Sequence, residues 1–191
     1  MHVNKKGIRV LGVAESFRRE HEKSVLAGIV MRSDFIIDGV GFTYITIGGM
    51  DATEGVVHLF ESLQRDDINV MMLNGCVISW FNIIDLHEVY NRLQIPLICV
   101  TYEESEGLEE HIAKHFEASE RDSRLEAYKR LGDRVPVRLH EHFEVLIRSL
   151  GIDDADAGAV LKKFTAHGKV PEPLRVAKIV ARAILRSGLV V

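Results

Sequence analysis

Residues 68–85 read INVMMLNGCVISWFNIID, and the first half of this stretch decides the fold. Residues 68–73 form a nearly continuous apolar run closed by Asn74-Gly75, the pattern of a strand buried on both faces by helices, as in a parallel sheet. In open α/β sheets, ligands and chemistry sit beyond the carboxyl ends of the strands, so Asn74, Gly75 and Cys76 stand where function is expected. An enzyme handling a metal ion or a phosphate would place a carboxylate there. This chain has a neutral amide.

On the N-terminal side, residues 8–13 (IRVLGV) form a second buried run that emerges at Ala14, Glu15 and Ser16. Residues 24–32 and 35–47 are strand-like and meet at Ser33-Asp34, which predicts an antiparallel hairpin, with a bulge or bend near Gly39 and Gly41. Residues 51–63 read as a helix with Asp51 and Glu54 in its first turn and Val56, Val57, Leu59, Phe60 and Leu63 as its apolar stripe. Past the central strand come a helix over 83–93 and a strand over 97–101 (LICVT). The order βββαβαβ predicts an α/β fold: a ribonuclease-H-like mixed sheet, an antiparallel three-strand meander followed by parallel strands, flanked by helices. In that arrangement the first strand lies beside residues 68–73, and Ala14 lies beside Asn74. Further on, residues 107–116 and 119–131 read as acidic helices covering one sheet edge. Residues 143–147 read as a short strand, 155–164 as a helix, and 173–185 as a last helix entered by Pro-Glu-Pro.

A chain of 191 residues with 47% hydrophobic content can bury a full core, and a single domain over residues 1–191 is expected. No apolar run approaches the ~18 residues of a membrane span. The opening MHVNKKGIRV lacks the apolar region of a secretory signal, so a cytoplasmic protein is expected. Cys76 and Cys99 do not make a disulfide framework and read as two small buried hydrophobes without a redox role. A net charge of −4 excludes a uniformly basic nucleic-acid binder, yet the charges are segregated. Residues 103–126 hold nine acidic and three basic side chains, whereas residues 160–191 hold seven basic and one acidic. Arg175, Lys178, Arg182 and Arg186 recur at helical spacing on one face of the last helix, either a stripe that receives phosphates or a solvated face. His111 and His115 have metal-pair spacing but no third ligand, which favours a solvated helix face. A Walker loop, a G-x-S-x-G elbow and a Cys-x-x-Cys pair are all absent from the sequence.

Residues 171–183 (PEPLRVAKIVARA), 9–17 (RVLGVAESF), 49–53 (GMDAT) and 72–85 (MLNGCVISWFNIID) together resemble endonuclease V and its relative, the endonuclease dU family. The resemblance spans nearly the whole chain. It implies the ribonuclease-H-like fold and, for the nuclease members, cleavage of DNA at a deaminated base, deoxyuridine for endonuclease dU. The implied cofactor is Mg²⁺, with Mn²⁺ as a substitute, because such a hard cation is held beside the scissile phosphate by clustered carboxylates. The chain departs from what the resemblance implies at four positions: Ala14 stands in place of an acid, Asn74 in place of an Asp, Ile152 in place of the His of endonuclease V, and Lys178 in place of the Asp of its last motif helix. The resemblance then leaves Glu15, Glu54 and Asn74 as catalytic candidates, and Glu15, Asp51, Glu54 and Asp85 as metal-ligand candidates. Each has a plainer reading: Glu15 faces away from the position of Ala14 unless a bulge re-aims it, Asp51 and Glu54 suit a first helical turn, and Asp85 suits a helix cap. Tyr44 stands where endonuclease V carries an aromatic wedge, or is a half-buried strand residue, and Arg175, Lys178 and Arg182 are the candidate DNA contacts. Two functions are therefore expected to compete: a Mg²⁺-dependent endonuclease with an altered acidic site, acting on DNA that contains deaminated bases, and a non-catalytic nucleic-acid- or protein-binding relative. The oligomeric state is open, a homo-oligomer included.

Overall fold

A computed structural model describes residues 7–104, 107–140 and 142–188. The elements run β1 (Arg9–Ser16), β2 (Lys23–Arg32), β3 (Ile37–Thr46), α1 (Ala52–Ser62), β4 (Val70–Leu73), β5 (Val77–Ile78), β6 (Asn82–Ile83), α2 (Leu86–Leu93), β7 (Leu97–Thr101), α3 (Glu109–His115), α4 (Ala118–Arg130), β8 (Val135–His140), β9 (Phe143–Leu150), α5 (Asp154–Lys163) and α6 (Glu172–Arg186). Seven strands form one sheet in the order β3-β2-β1-β4-β7-β9-β8, and β5 and β6 make a separate small hairpin. β1 runs antiparallel to β2 and parallel to β4, and β4 runs parallel to β7. This is the ribonuclease-H-like arrangement expected from the sequence. Val13 pairs with Leu73 in register, and the Asn74 amide donates to the Val13 carbonyl at 3.0 Å, so Asn74 leaves β4 beside Ala14, which stays within β1 paired with Ala27.

All four residues of β4 are buried, as a strand sandwiched by helices requires. Side chains alternate between two cores. Leu11, Val13, Met71 and Leu73 meet Val56 and Leu59 of α1 on one face. Val10, Ala14 and Met72 meet Phe164, Leu174 and Ala177 on the other.

Several expectations need correction. The helix expected from residue 83 starts at Leu86, because Asn82–Ile83 pairs with Val77–Ile78 and Asp85 caps the helix, accepting from His87 and Glu88 amides. The strand expected over 143–147 runs to Leu150, and β8 was not foreseen; Pro136 sits in it without cost because β8 is an edge strand. This β8–β9 hairpin fills the sheet beyond β7, and the acidic helices, expected to cover one sheet edge, cover neither. Those helices pack instead over the β5–β6 hairpin, anchored by Arg124, which is 1% exposed and donates to the carbonyls of Gly49 at 2.8 Å and Phe81 at 3.0 Å. The bulge of the β2–β3 hairpin falls next to Gly39, with Asp38 as the extra residue. Cys76 and Cys99, expected as separate thiols, form a disulfide with Cα atoms 6.3 Å apart. Register explains the meeting: Cys99 pairs with Leu73 on the neighbouring strand, and Cys76 follows just past the turn.

Gly12 is the position on which α6 settles. A Cβ built there would lie 2.5 Å from the carbonyl carbon and Cβ of Pro173, closer than such atoms ever approach. Gly12→Ala is therefore expected to lower stability by about 2 kcal/mol or more, through overpacking at a backbone that cannot give way. A drop in the urea midpoint with an unchanged slope would show it, and a wild-type midpoint would refute it.

Candidate nucleic-acid site at the strand ends

The carboxyl ends of β4 and β7 and the side of α6 enclose a cleft of about 210 Å³, lined among others by Asn74, Tyr102, Leu174, Arg175, Lys178 and Arg182. Helical spacing brings Arg175, Lys178 and Arg182 to this side of α6, while Leu174, Ala177 and Ala181 are buried against the sheet. Lys178 Nζ donates to the Glu15 carbonyl at 2.5 Å and lies 3.4 Å from Glu15 Oε1. The other carboxylate oxygen of Glu15 is buried without a hydrogen-bond partner. Arg175 is tied to Glu172 through its Nε at 2.9 Å. The Tyr102 hydroxyl is likewise buried and unpartnered, and burial pushes its pKa above the ordinary phenol value. A larger groove of about 560 Å³ between α4 and β9 sets Lys129, Arg134 and Arg148 against Glu104, Glu109 and Asp133. Among the described residues its lining charges are equal in number, and no acid lines the smaller cleft.

Of the acids singled out in the sequence, only Glu15 lies beside Ala14 and Asn74 at these strand ends, lining the same crevice as both. Asp51 is occupied elsewhere: its carboxylate accepts from the Thr46 amide at 3.0 Å, the Thr46 hydroxyl at 2.7 Å and the Asn82 side-chain amide at 2.7 Å. Burial works against this charge, but the hydrogen bonds from Thr46 and Asn82 outweigh it and hold the pKa below its ordinary 3.8. Glu54, in the first turn of α1, pairs with Arg92 of α2. Asp85 caps α2 and lies 3.4 Å from Arg130. Tyr44 is on edge strand β3, 38% exposed and packed edge-on to Phe42. His115 stacks against Trp80 and Phe81 rather than facing solvent alone.

Among the described residues, no three or more His, Cys, Asp or Glu side chains are grouped so as to hold a metal ion. The donors at the strand ends tell the same story. Asn74 offers an uncharged oxygen, Ala14 offers none, and the Glu15 carboxylate is shared with Lys178. Two divalent ions ~3.5–4 Å apart need bridging anionic oxygens, and these residues do not fit such a centre.

Two functional features escaped the sequence reading. Tyr102 directly follows the LICVT strand, so the strand-end rule that singled out Asn74 also points to it. Asn82 is fully buried and links Asp51 to the β5–β6 hairpin, its side-chain oxygen also accepting from the Ala52 amide at 2.9 Å. That hairpin turns through Ser79, Trp80 and Phe81, all with positive φ. Three consecutive non-glycine residues there are costly, and the cost is met by anchors. Ser24 and Ser79 hydroxyls meet at 2.5 Å, Gly48 donates to the Ser79 carbonyl at 2.8 Å, and Arg19 lies 4.1 Å over the Trp80 ring.

Residues 6–185 match the family model described as endonuclease dU. A UPF0215 protein of Pyrobaculum calidifontis is 41% identical over 175 residues, covering 91% of this chain and 95% of the relative. The crystal structure of a protein of unknown function from Archaeoglobus fulgidus superposes with a TM-score of 0.81 at 26% identity, covering 93% of this chain and 98% of that one. Ciona intestinalis endonuclease V, in complex with a 24mer DNA containing an inosine followed by a ribo-adenosine, superposes with a TM-score of 0.60 at 16% identity, covering 95% and 87%. At that identity the last likeness speaks to the fold.

The Asp51 clasp generates a pH prediction. A carboxyl whose folded pKa lies below its unfolded value contributes stability that is present above the unfolded pKa and lost as pH falls through the folded one. Asp51→Asn is expected to remove that contribution, about 1–2 kcal/mol at neutral pH, and to flatten the acid limb of stability below about pH 4. Urea midpoints from neutral pH down to about pH 2 measure it; parallel profiles for the two proteins would show that Asp51 is not the group responsible.

Proposed function

The chain belongs to the endonuclease dU family, and from that premise we propose that it binds DNA containing deaminated bases, deoxyuridine foremost, in the cleft between Asn74 and α6, and cleaves it slowly. One observation supports the binding half of this reading above all. The basic face of α6, expected from sequence to meet any polyanion, is aligned with the carboxyl ends of the central strands, where the fold places ligands. The likeness in fold to an endonuclease V held on inosine-containing DNA supports the same partner class.

Slowness follows from the donor set. Mg²⁺ or Mn²⁺, the ions implied for a nuclease of this kind, take several oxygen ligands, preferably anionic. Glu15 is the carboxylate available beside Ala14 and Asn74, and Lys178 competes for it. The lack of a three-acid group among the described residues favours a second reading, a purely binding member of the family. One experiment separates them: incubation with deoxyuridine-, deoxyinosine- and normal DNA over a series of Mg²⁺ and Mn²⁺ concentrations, alongside the Ala14→Asp, Asn74→Asp double variant. Binding with slow, ion-dependent nicking at deoxyuridine supports the proposal, and the double variant is expected to gain divalent-ion affinity. Binding with no nicking at any ion concentration selects the second reading. Efficient nicking by the unaltered chain, abolished by Glu15→Gln or Glu54→Gln, would mean a rebuilt site in place of an impaired one.

Binding itself is expected to depend on salt through α6. Replacing both Lys178 and Arg182 by Glu should abolish it at moderate ionic strength, and replacing both by neutral Gln should reduce the slope of log K against log salt by about 2. An unchanged affinity in either variant would sink the assignment.

A further inference from the structure

A carboxylate site can hold a phosphate only through an intervening cation. The cleft beside Asn74 presents the opposite chemistry. We propose that it is a phosphoryl-binding seat working through protein donors, with Asn74, Tyr102, Lys178 and Arg182 binding the phosphate oxygens directly and no divalent ion bridging them. The inference rests on reading this cleft as the nucleic-acid site, and it states how that site holds its ligand.

Four observations lead to it. First, among the described residues every polar side chain lining the cleft is a hydrogen-bond donor or cation, and none is an acid. Second, Tyr102 lines the cleft and its hydroxyl is buried without a partner, a state that folded proteins avoid unless something completes it. Burial raises its pKa, so the phenol stays protonated and can donate to an anion at any physiological pH. Third, Glu15 stands behind Lys178 rather than in the cleft lining. It takes up part of the ammonium charge and orients Nζ, which can still donate forward. Fourth, Arg182 is exposed and makes no ion pair among the described residues, whereas Arg175 is already held by Glu172. Arg175 therefore completes the rim without being a principal donor. Leu174 and Ile179 supply an apolar wall, and about 210 Å³ accommodates a phosphoryl group with part of an attached sugar. Charge-assisted bonds from Lys and Arg to phosphate oxygens are the strong class, and neutral donors fix their geometry.

The substitution of Asn74 for a carboxylate acquires a positive role on this view. An acid at position 74 would repel the phosphoryl group unless an ion intervened. The amide can donate to it.

The test uses the whole chain in EDTA. Inorganic phosphate is titrated calorimetrically, and a labelled single-stranded oligonucleotide is followed by anisotropy in 5′-phosphorylated, 3′-phosphorylated and unphosphorylated forms. Phosphate and oligonucleotide are both expected to bind without divalent ions. Tyr102→Phe and Arg182→Gln should each weaken phosphate binding by about tenfold, and Lys178→Met by more. Asn74→Asp should weaken binding in EDTA and make it responsive to Mg²⁺. Arg182 is on the surface, so its variant reports on the seat even where Tyr102→Phe disturbs the fold. Preference for a phosphorylated end assigns the seat to a terminal monoester, and equal affinity for the three forms assigns it to an internal diester; both uphold the seat. Binding that appears only with Mg²⁺ overturns it while leaving the nucleic-acid reading intact, and binding that ignores all four substitutions overturns both. Phosphate binding without any oligonucleotide binding would uphold the seat and overturn the proposed function.

Discussion

The parallel pairing of β1 with β4 is the constraint from which the rest of the molecule follows. Two apolar strands side by side, buried on both faces, need a covering layer above and below. The crossover through α1 supplies one layer, and α6 supplies the other at the one place on β1, Gly12, where a backbone can approach so closely. Parallel register also sets both strand ends on the same side of the sheet, so Ala14, Asn74 and the flank of α6 meet without any loop having to bring them together.

Acids are plentiful in this chain, but the structure employs them as building material. Asp51 clasps the β3–α1 turn to Asn82, Asp85 caps α2, and Glu54 ties α1 to α2 through Arg92. Asp85 is already held by orphan amides of α2, and Asp51 and Glu54 by Thr46, Asn82 and Arg92, so these residues gain little by turning towards an ion. The strand ends are correspondingly poor in negative charge. The carboxylate beside Ala14 and Asn74, that of Glu15, is balanced by Lys178, which occupies a place where the family resemblance implies an acid.

The legible parts of the fold were those where a single local pattern suffices. Residues 97–101 proved to be a strand over those residues, and the runs at 8–13 and 68–73 proved central, because burial on two faces leaves an unbroken apolar record. The β5–β6 hairpin left no such record. Its strands are two residues long, and its left-handed turn is held by Ser24, Gly48 and Arg124, residues distant in the chain. β8 was hidden by Pro136 and by its exposed face. The Cys76–Cys99 pair depends on the register between β4 and β7, which no spacing within the sequence encodes. At the site, the position of Asn74 and the basic stripe were readable. Tyr102 was not singled out, because a search for carboxylates passes over a phenol.

The contact of Gly12 with Pro173 joins elements from opposite ends of the described sequence. A chain made from its N-terminus acquires β1 and β2 early, with Val10, Ala14, Val25 and Ala27 on a face that only α6 covers fully. That face waits, exposed, until α6 has been synthesised, and the cleft has no basic wall before then. Covering of this face therefore waits on the synthesis of α6, with the interval in between the period of greatest exposure to aggregation. A chain interrupted ahead of α6 would leave β1 and β2 bare on that face, with α5 covering only its far side, and the cleft without its basic wall.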